Sequence, residues 1–591
     1  MSGDAMGEGR GAGAGDHGRS PGGRLRRLAP LWLRDYRRAA LPGDLAAGAV
    51  VAALLIPQSM AYAQLAGLPP QAGLYASILP VALYALLGSS PTLAVGPVAM
   101  VSLMVAAALG PLAAAGSADY AALALTLALL VGLLQAALGL LRLGGLVHLL
   151  SHAVIAGFTS GAALLIAVGQ LRPLLGLKGA GGDRLPQLLA GLPTGFGQVP
   201  VAGAALGLTT LVAILVLERL PLPPRLAAWR KLGPLAAVGL ATLAVVLGDL
   251  DGVARVLVVG TVPAGLPKVT WPTWDAGLWR ALAAPAVVIG LAGFAESYAM
   301  AQALAGRSRG RPRPDRELLA LGAANLGAAF SGAFPVTGGF SRTMVNQGAG
   351  ATSPLASLVS AGLMALSVAW LTPYLARVPQ AALAAVILAA VLRLLDAATF
   401  RRLWTYDRAE AALMLLAFGG VLLLGVERGL LAGLAATVGL HLWRAAQPHV
   451  AVLGRVPGTE HYRNVLRHRV LTQPAVLALR VDESLSSLNI GFLRDRVQRE
   501  VAARPEARHL LLVCSAVNGI EGGALVELEA LVADLRAAGM TTHLAEVKGP
   551  VQDRLDRAGF PGRLAGGRIF LSTHEAMRHL ESTPAGLPLT A

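Results

Sequence analysis

Apolar runs of 18 or more residues recur between about positions 44 and 444. Each is long enough to cross a hydrocarbon core of roughly 30 Å as a helix. A chain that repeats this pattern so often has few folds open to it. The composition agrees, because 55% of the 591 residues are hydrophobic and only 14% are charged, with a mean hydropathy of +0.61. That lies outside the soluble globular range. The expected fold class is a polytopic α-helical membrane protein.

The formal charge of +16 would suit a nucleic-acid partner, but its distribution argues against one. The basic residues sit in the N-terminal tail (Arg24, Arg26, Arg27, Arg34, Arg37, Arg38), in 219–231, in 307–316 and around 401–408. Short basic segments flanking apolar runs are the positive-inside pattern of a multi-span protein. The single cysteine, Cys514, excludes an internal disulfide and a cysteine-rich metal site. Residues 1–40 carry no apolar core closed by a cleavage site, so they read as a disordered basic cytoplasmic tail.

Within the apolar region, 41–446, the interruptions are more informative than the runs. The first run opens after Pro42 and Gly43, with Asp44 as the expected N-cap, and is interrupted by Pro57 and Gln58. In 89–110, Pro91, Gly96 and Pro97 leave an apolar stretch too short to span, which predicts a half-helix starting near Val98 inside the membrane. A loop at 249–280, with Trp271, Trp274 and Trp279, has the aromatic content of a membrane interface. Beyond it the pattern repeats. A run at about 281–303 holds Glu296, and 335–350 is broken by Pro335, Gly338 and Gly339. The count is about 14 segments, seven on either side of the tryptophan loop. Seven is odd, so the halves insert with opposite orientation. Paired interrupted segments in two inverted halves point to a transporter's central site.

After Arg444 the composition changes. Between 450 and 585, β-rich runs (Val476–Val481, His509–Val513, 542–547, 567–571) alternate with amphipathic helical patterns at 489–502, 522–538, 550–558 and 573–580. This predicts a small α/β domain on the cytoplasmic side.

The segment 334–347, FPVTGGFSRTMVNQ, places an arginine, paired glycines and three hydroxyl residues in an apolar setting. An arginine at mid-membrane depth costs roughly 2.5–3.5 kcal/mol on insertion scales, so it usually faces a cavity or a partner. Glu296 lies among Ala, Gly and Phe. A carboxylate desolvated in this way is a candidate to bind and release a proton near neutrality. Gln58 and Tyr62, four residues apart, share one helix face. Each feature also has a plainer explanation: close helix packing for Gly338 and Gly339, a stabilising pair with Glu296 or a carbonyl for Arg342, and interhelical hydrogen bonding for Gln58. His148, His152 and His441 lie at segment ends and are expected to be interfacial.

Taken together, these motifs resemble the sulfate permease (SulP) family of anion transporters. The resemblance rests on GDLAAGAVVAALLIPQSMAYAQLAGLPPQAGLYASILP, LAVGPVAMVSLM, FAES and FPVTGGFSRTMVNQ. VAVLGRVPGTEHYRNV, LALRVDESLSSLNIGFLRDRV and SAVNGIEGGAL, within 450–585, resemble the family's STAS domain. The resemblance implies two intertwined inverted seven-segment repeats forming core and gate domains, usually in a dimer. It implies an anion held between facing half-helix N-termini. The donors would be the amides near Val98 and Ala99 on one side and those of Gly339, Phe340 and Ser341 on the other. Arg342 would set a positive field, and Gln58 and Tyr62 would line the pocket. Two positions depart from the STAS pattern. Cys514 stands where an aspartate is common, and Glu521-Gly522-Gly523 stands where phosphorylatable relatives carry Asp-Ser-Ser, so no serine switch is expected there. Cys514 itself is expected to be a buried strand residue.

The expected function is secondary active transport of an inorganic anion by alternating access, with proton-coupled sulfate uptake through Glu296 favoured. Sodium-dependent bicarbonate transport and anion exchange are alternatives on the same fold. A membrane anion sensor that does not transport is an alternative of another class. A similarly folded family moves nucleobases or ascorbate, but Ser341, Arg342 and the STAS-like tail speak against it. No nucleophile–base pair or phosphate-cradling loop suggests an enzyme. No cofactor is expected, the driving force being a proton gradient, with a sodium gradient as the alternative. The expected partners are a small inorganic anion, the lipid bilayer and a second copy of the chain. The expected location is the cell membrane, with both termini cytoplasmic.

Overall fold

The computed structural model describes residues 31–581 apart from 35, 146–150, 178–181, 183, 194–198, 220–231 and 306–311. The basic tail through residue 30, His148 and most of the basic segments 219–231 and 307–316 lie outside the described residues. The chain divides into two units, Met1–Thr437 and Val438–Ala591.

The expected disordered tail does not extend to residue 40. Leu31–Arg34 and Arg38–Ala40 are helical turns. Trp32 Nε1 donates to the Ala85 carbonyl at 2.9 Å, giving a half-buried indole N–H its acceptor.

Up to Ala446 the chain is helical apart from two short strands and runs through the same order of elements twice. The first pass is Leu41–Leu65, then Pro70–Ala76 with Leu79–Leu87, strand β1 (Val95–Gly96), Ala99–Leu109, Ala118–Leu140, His152–Leu174, Val201–Arg219 and Gly233–Leu247. The second is Ala276–Ala305, Pro314–Phe330, strand β2 (Thr337–Gly338), Phe340–Gly348, Leu355–Trp370, Gln380–Val391, Arg408–Leu424 and Val426–Ala446. Among the described residues, seven helices are long and apolar enough to cross a membrane by themselves.

Extensive helix interfaces join one half to the other. Ala118–Leu140 packs along Pro314–Phe330, Leu41–Leu65 along Leu355–Trp370, and His152–Leu174 along Arg408–Leu424. Small residues permit these crossings. A Cβ on Gly132 would lie 2.8 Å from the Leu326 amide nitrogen, and one on Gly322 would lie 2.7 Å from that of Ala136. Lipid-solvated helices associate through this kind of backbone approach.

Asp44 is not the N-cap of the first helix, which begins at Leu41. Its carboxylate accepts instead from the Thr352 and Ser353 amides at 2.8 and 3.1 Å and from the Ser353 hydroxyl at 2.6 Å. It thereby satisfies backbone donors just ahead of Leu355–Trp370 in the opposite half. Pro57 does not end the first helix, which continues to Leu65.

The second unit contains a six-stranded sheet, β3 (Val450–Arg455), β4 (Tyr462–Asn464), β5 (Val476–Val481), β6 (His509–Val513), β7 (Thr541–Ala545) and β8 (Ile569–Phe570), ordered β4-β3-β5-β6-β7-β8. Strands β5 to β8 are parallel neighbours, and β3 pairs antiparallel with both β4 and β5. Alternate strand residues feed apolar cores on the two faces, Leu477, Leu479, Leu510 and Leu512 on one and Ala478, Leu511 and Val513 on the other. The strand–helix alternation expected from 476 onward is present, while β3 and β4 are additions to it. Cys514 follows β6 and is buried, which pushes its thiol up to about 12 and leaves it largely protonated near neutrality.

Candidate anion site

The site is built from two short strands that each lead directly into a helix. β1 and β2 pair antiparallel, with Val95 opposite Gly338 and Gly96 opposite Thr337. Val98 and Gly339 stay extended as N-caps, and the helices Ala99–Leu109 and Phe340–Gly348 start on the next residues. Because the strands cross as a pair, the two helix N-termini are held beside each other. The first intrahelical bonds run from Ser102 N to the Val98 carbonyl and from Thr343 N to the Gly339 carbonyl, both at 3.0 Å. The amides of Ala99, Met100 and Val101 on one side, and of Phe340, Ser341 and Arg342 on the other, precede those bonds. They have no partner within their own helices. Each N-terminus also carries roughly half a positive charge from the helix dipole.

Gly339 needs a correction. Its amide donates to the Ala94 carbonyl at 3.1 Å, extending the β1–β2 ladder, so it is not a free donor for a ligand. Its contribution is space. A Cβ there would lie 3.0 Å from Arg342 Nη2, and one on Gly96, whose φ is +150°, would lie 3.3 Å from the same atom. The two glycines thus form a slot for the guanidinium.

Arg342 is 3% exposed and reaches across to the other half, where Nη1 donates to the Pro97 carbonyl. Its Nε and Nη2 have no hydrogen-bond partner among the described residues. Glu296 Oε2 is buried and likewise has no hydrogen-bond partner among them. Arg342 therefore does bond to a carbonyl, one of the plainer roles open to it, but that bond occupies only part of the guanidinium.

All nine expected site residues line one cavity of about 50 Å³: Gln58, Tyr62, Val98, Ala99, Glu296, Gly339, Phe340, Ser341 and Arg342. Ligand pockets for organic molecules run to roughly 300–1,000 Å³. A space this small suits a small ion. Met100, Thr159, Ala390, Val391 and Leu394 complete the lining and were not anticipated. They come from the half-helix Ala99–Leu109, from His152–Leu174, from Gln380–Val391 and from the turn Leu392–Leu394. Thr159, in the small-residue string GFTSG, is the one with a readable sequence signal. His152 and His441 lie elsewhere.

A buried polar network holds the strands in place. Ser297, next to Glu296, shares a 2.7 Å hydrogen bond with Thr337 and accepts from the Gly338 amide at 2.8 Å. Asn325 accepts from Val336 N at 2.7 Å and donates to Gln135 Oε1 at 2.9 Å. Thr343 Oγ1 accepts from Ala94 N at 3.1 Å, and Asn346 Nδ2 donates to the Thr92 carbonyl at 2.9 Å. Irregular backbone at membrane depth needs this kind of internal satisfaction. Among the described residues, two other carboxylates are buried, both outside the cavity: Asp44 as described and Glu317. Glu317 accepts from Tyr84 OH at 2.6 Å, from the Ser89 hydroxyl at 2.5 Å and from the Ser89 and Ser90 amides at 2.9 Å. Neither has the spare bonding capacity of Glu296.

Residues 41–417 match the sulfate permease family and 468–576 match the STAS domain. The chain belongs to the sulfate permease family. It is 34% identical to a probable sulfate transporter 4.2 of Arabidopsis thaliana, over 93% of this chain and 82% of that protein. It is 36% identical to a probable sulfate transporter of Mycobacterium tuberculosis, over 92% of this chain and 96% of the relative. Its fold is that of the murine Solute Carrier 26 family member A9 anion transporter in the inward-facing state. That match has a TM-score of 0.85 at 21% identity, covering 98% of this chain and 97% of the other. The transmembrane domain of a cyanobacterial bicarbonate transporter, BicA, aligns at 26% identity with a TM-score of 0.57, over 68% of this chain and 99% of its own. Family members are membrane transporters, so the chain is read as a carrier of an inorganic anion.

Proposed function

We propose that the protein performs proton-coupled sulfate uptake by alternating access. The observation that supports this best is the meeting of two helix N-termini, Arg342 and Glu296 at one small cavity. Backbone amides and the Ser341 hydroxyl replace part of the anion's hydration shell, and Arg342 supplies positive potential. Glu296 carries the proton. Sulfate is divalent near neutrality, so one accompanying proton halves the charge moved against the membrane potential. That relieves about 2.3 kcal/mol per 100 mV. The relatives named as sulfate transporters align over nearly the whole chain and favour sulfate as the cargo.

The test is labelled sulfate uptake into proteoliposomes with an imposed pH gradient. Accumulation should rise as the outside is acidified, and E296Q should flatten that dependence while leaving the fold intact. An E296Q protein with the wild-type pH dependence would overturn the coupling. Binding without flux would favour a sensor.

A second reading, sodium-dependent bicarbonate transport, draws support from the 26% identity to the BicA membrane domain. Competition by bicarbonate against labelled sulfate, repeated without sodium, separates the two. The STAS domain is proposed to hold a homodimer on the cytoplasmic side, together with both chain termini. Deleting 450–591 should shift the detergent-solubilised protein toward the monomer in light scattering.

A further inference from the structure

Between Gln380–Val391 and Arg408–Leu424 lies a ten-residue helix that the transport site does not use, Ala397–Tyr406, AATFRRLWTY. None of its residues is buried. Phe400 and Leu403 pack on the cluster of Ala153, Ala156 and Met414. Apart from half-buried Thr399, the rest of the helix is exposed. Arg401 and Arg402 are exposed, as are Trp404 at 50% and Tyr406 at 88%. Neither arginine has an ion-pair partner among the described residues. The acidic residues flanking the helix have other work. Asp396 accepts from the Thr399 amide at 2.9 Å and hydroxyl at 2.5 Å, and Asp407 accepts from the Ala409 amide at 2.9 Å. Glu410, farther on, is half-buried.

We propose that this helix is a docking surface for anionic phospholipid headgroups of the surrounding bilayer, with Arg401 and Arg402 as the ligands. The turn Leu392–Leu394 separates it from the apolar helix Gln380–Val391, and it carries two arginines with no buried residue, which is the character of an interfacial segment. Its aromatic residues and paired arginines are the chemistry that such segments use. A phosphate headgroup offers the guanidinium groups the bidentate partner they lack. A second copy of the chain is the poorer occupant. Ten helical residues span only about 15 Å, too little to bury the roughly 1,000 Å² of a stable interface.

The surface is tied to the transport cavity. Asp396 N donates to Ser160 Oγ at 3.2 Å, and Ser160 Oγ donates to the Leu394 carbonyl at 3.3 Å. Leu394 and Thr159, the neighbour of Ser160, both line the cavity. A bound headgroup therefore steadies the turn that closes one wall of the site. The inference rests on the family's membrane location and not on which anion is carried.

The experiment uses the full chain in phosphatidylcholine vesicles containing either brominated phosphatidylglycerol or brominated phosphatidylcholine. The Trp404 signal is isolated by subtracting the W404F spectrum. Brominated phosphatidylglycerol should quench Trp404 at a mole fraction lower by roughly fivefold per arginine, and added salt should shrink the difference. The R401Q/R402Q double variant should quench equally with both lipids, while R401K/R402K should keep a preference and so report on charge instead of folding. Equal quenching in the wild type, or a preference that survives in R401Q/R402Q, overturns the proposal. So does a Trp404 shielded from both lipids, because that places protein on the helix. The readout is binding, so a failure here and a failure of sulfate uptake are separate results.

Discussion

The two half-helix ends share a backbone plan and differ in chemistry. Both follow a two-residue strand, begin after an extended N-cap and set their first residues against one cavity. Ala99–Leu109 is almost wholly apolar, AMVSLMVAAAL, so near its start it has only backbone to offer. Phe340–Gly348, FSRTMVNQG, adds a hydroxyl, a guanidinium and two side chains that bond back to the first strand's segment. The pseudo-symmetry builds the cradle, and the second half alone supplies side-chain charge. Electrostatic strength should therefore be lost through the second end, and cradle shape through either.

The largest expected effect is that of R342A. It removes the positive charge at the cavity and leaves the Pro97 carbonyl without its donor. Truncating a buried, hydrogen-bonded charge costs 2–5 kcal/mol, so sulfate affinity measured by competition should fall by about a hundredfold. R342K should recover only part, since an ammonium lacks the planar fork. Next comes G96A, which touches no ligand. It forces a Cβ to within 3.3 Å of Arg342 Nη2 at a φ of +150°. Strain of about 1–3 kcal/mol should cost about tenfold in uptake with little loss of expressed protein. If G96A transports like the wild type, the slot is not what positions Arg342.

How far these features can be read from sequence depends on how local their chemistry is. The broken segments are legible because proline, glycine and arginine stand out against an apolar background, and the half-helix start expected near Val98 coincides with the N-cap. The alternation from 476 onward in the STAS domain is legible for the same reason, since strand and helix periods are properties of short windows. Pairings across the molecule are not. Nothing near Asp44 announces Thr352 and Ser353, and nothing near Glu317 announces Tyr84 and Ser89. The Gly339 amide looks free until the strand ladder is seen to claim it. Ala390, Val391 and Leu394 are hidden because an apolar cavity wall and a lipid-facing helix use the same residues.

Smaller effects sharpen the contrast between the ends. S341A deletes one hydroxyl at the cavity and leaves the amides in place. A single hydrogen bond contributes about 0.5–1.5 kcal/mol, so affinity should fall by roughly fivefold with the maximal rate nearly kept. V98A is the matching change on the first end. Val98 lines the cavity, but its helix contributes through backbone donors, which alanine retains. Sulfate affinity should stay within about twofold of wild type, because no hydrogen bond is lost. A large affinity loss in V98A with an unchanged response in S341A would reverse the assignment, making the first end the one that reads the anion by shape. Measuring both variants with sulfate and with bicarbonate tests this further. Backbone donors respond to charge, whereas the Ser341 hydroxyl must also match the position of an oxygen, so S341A should change the ratio of the two affinities and V98A should leave it alone.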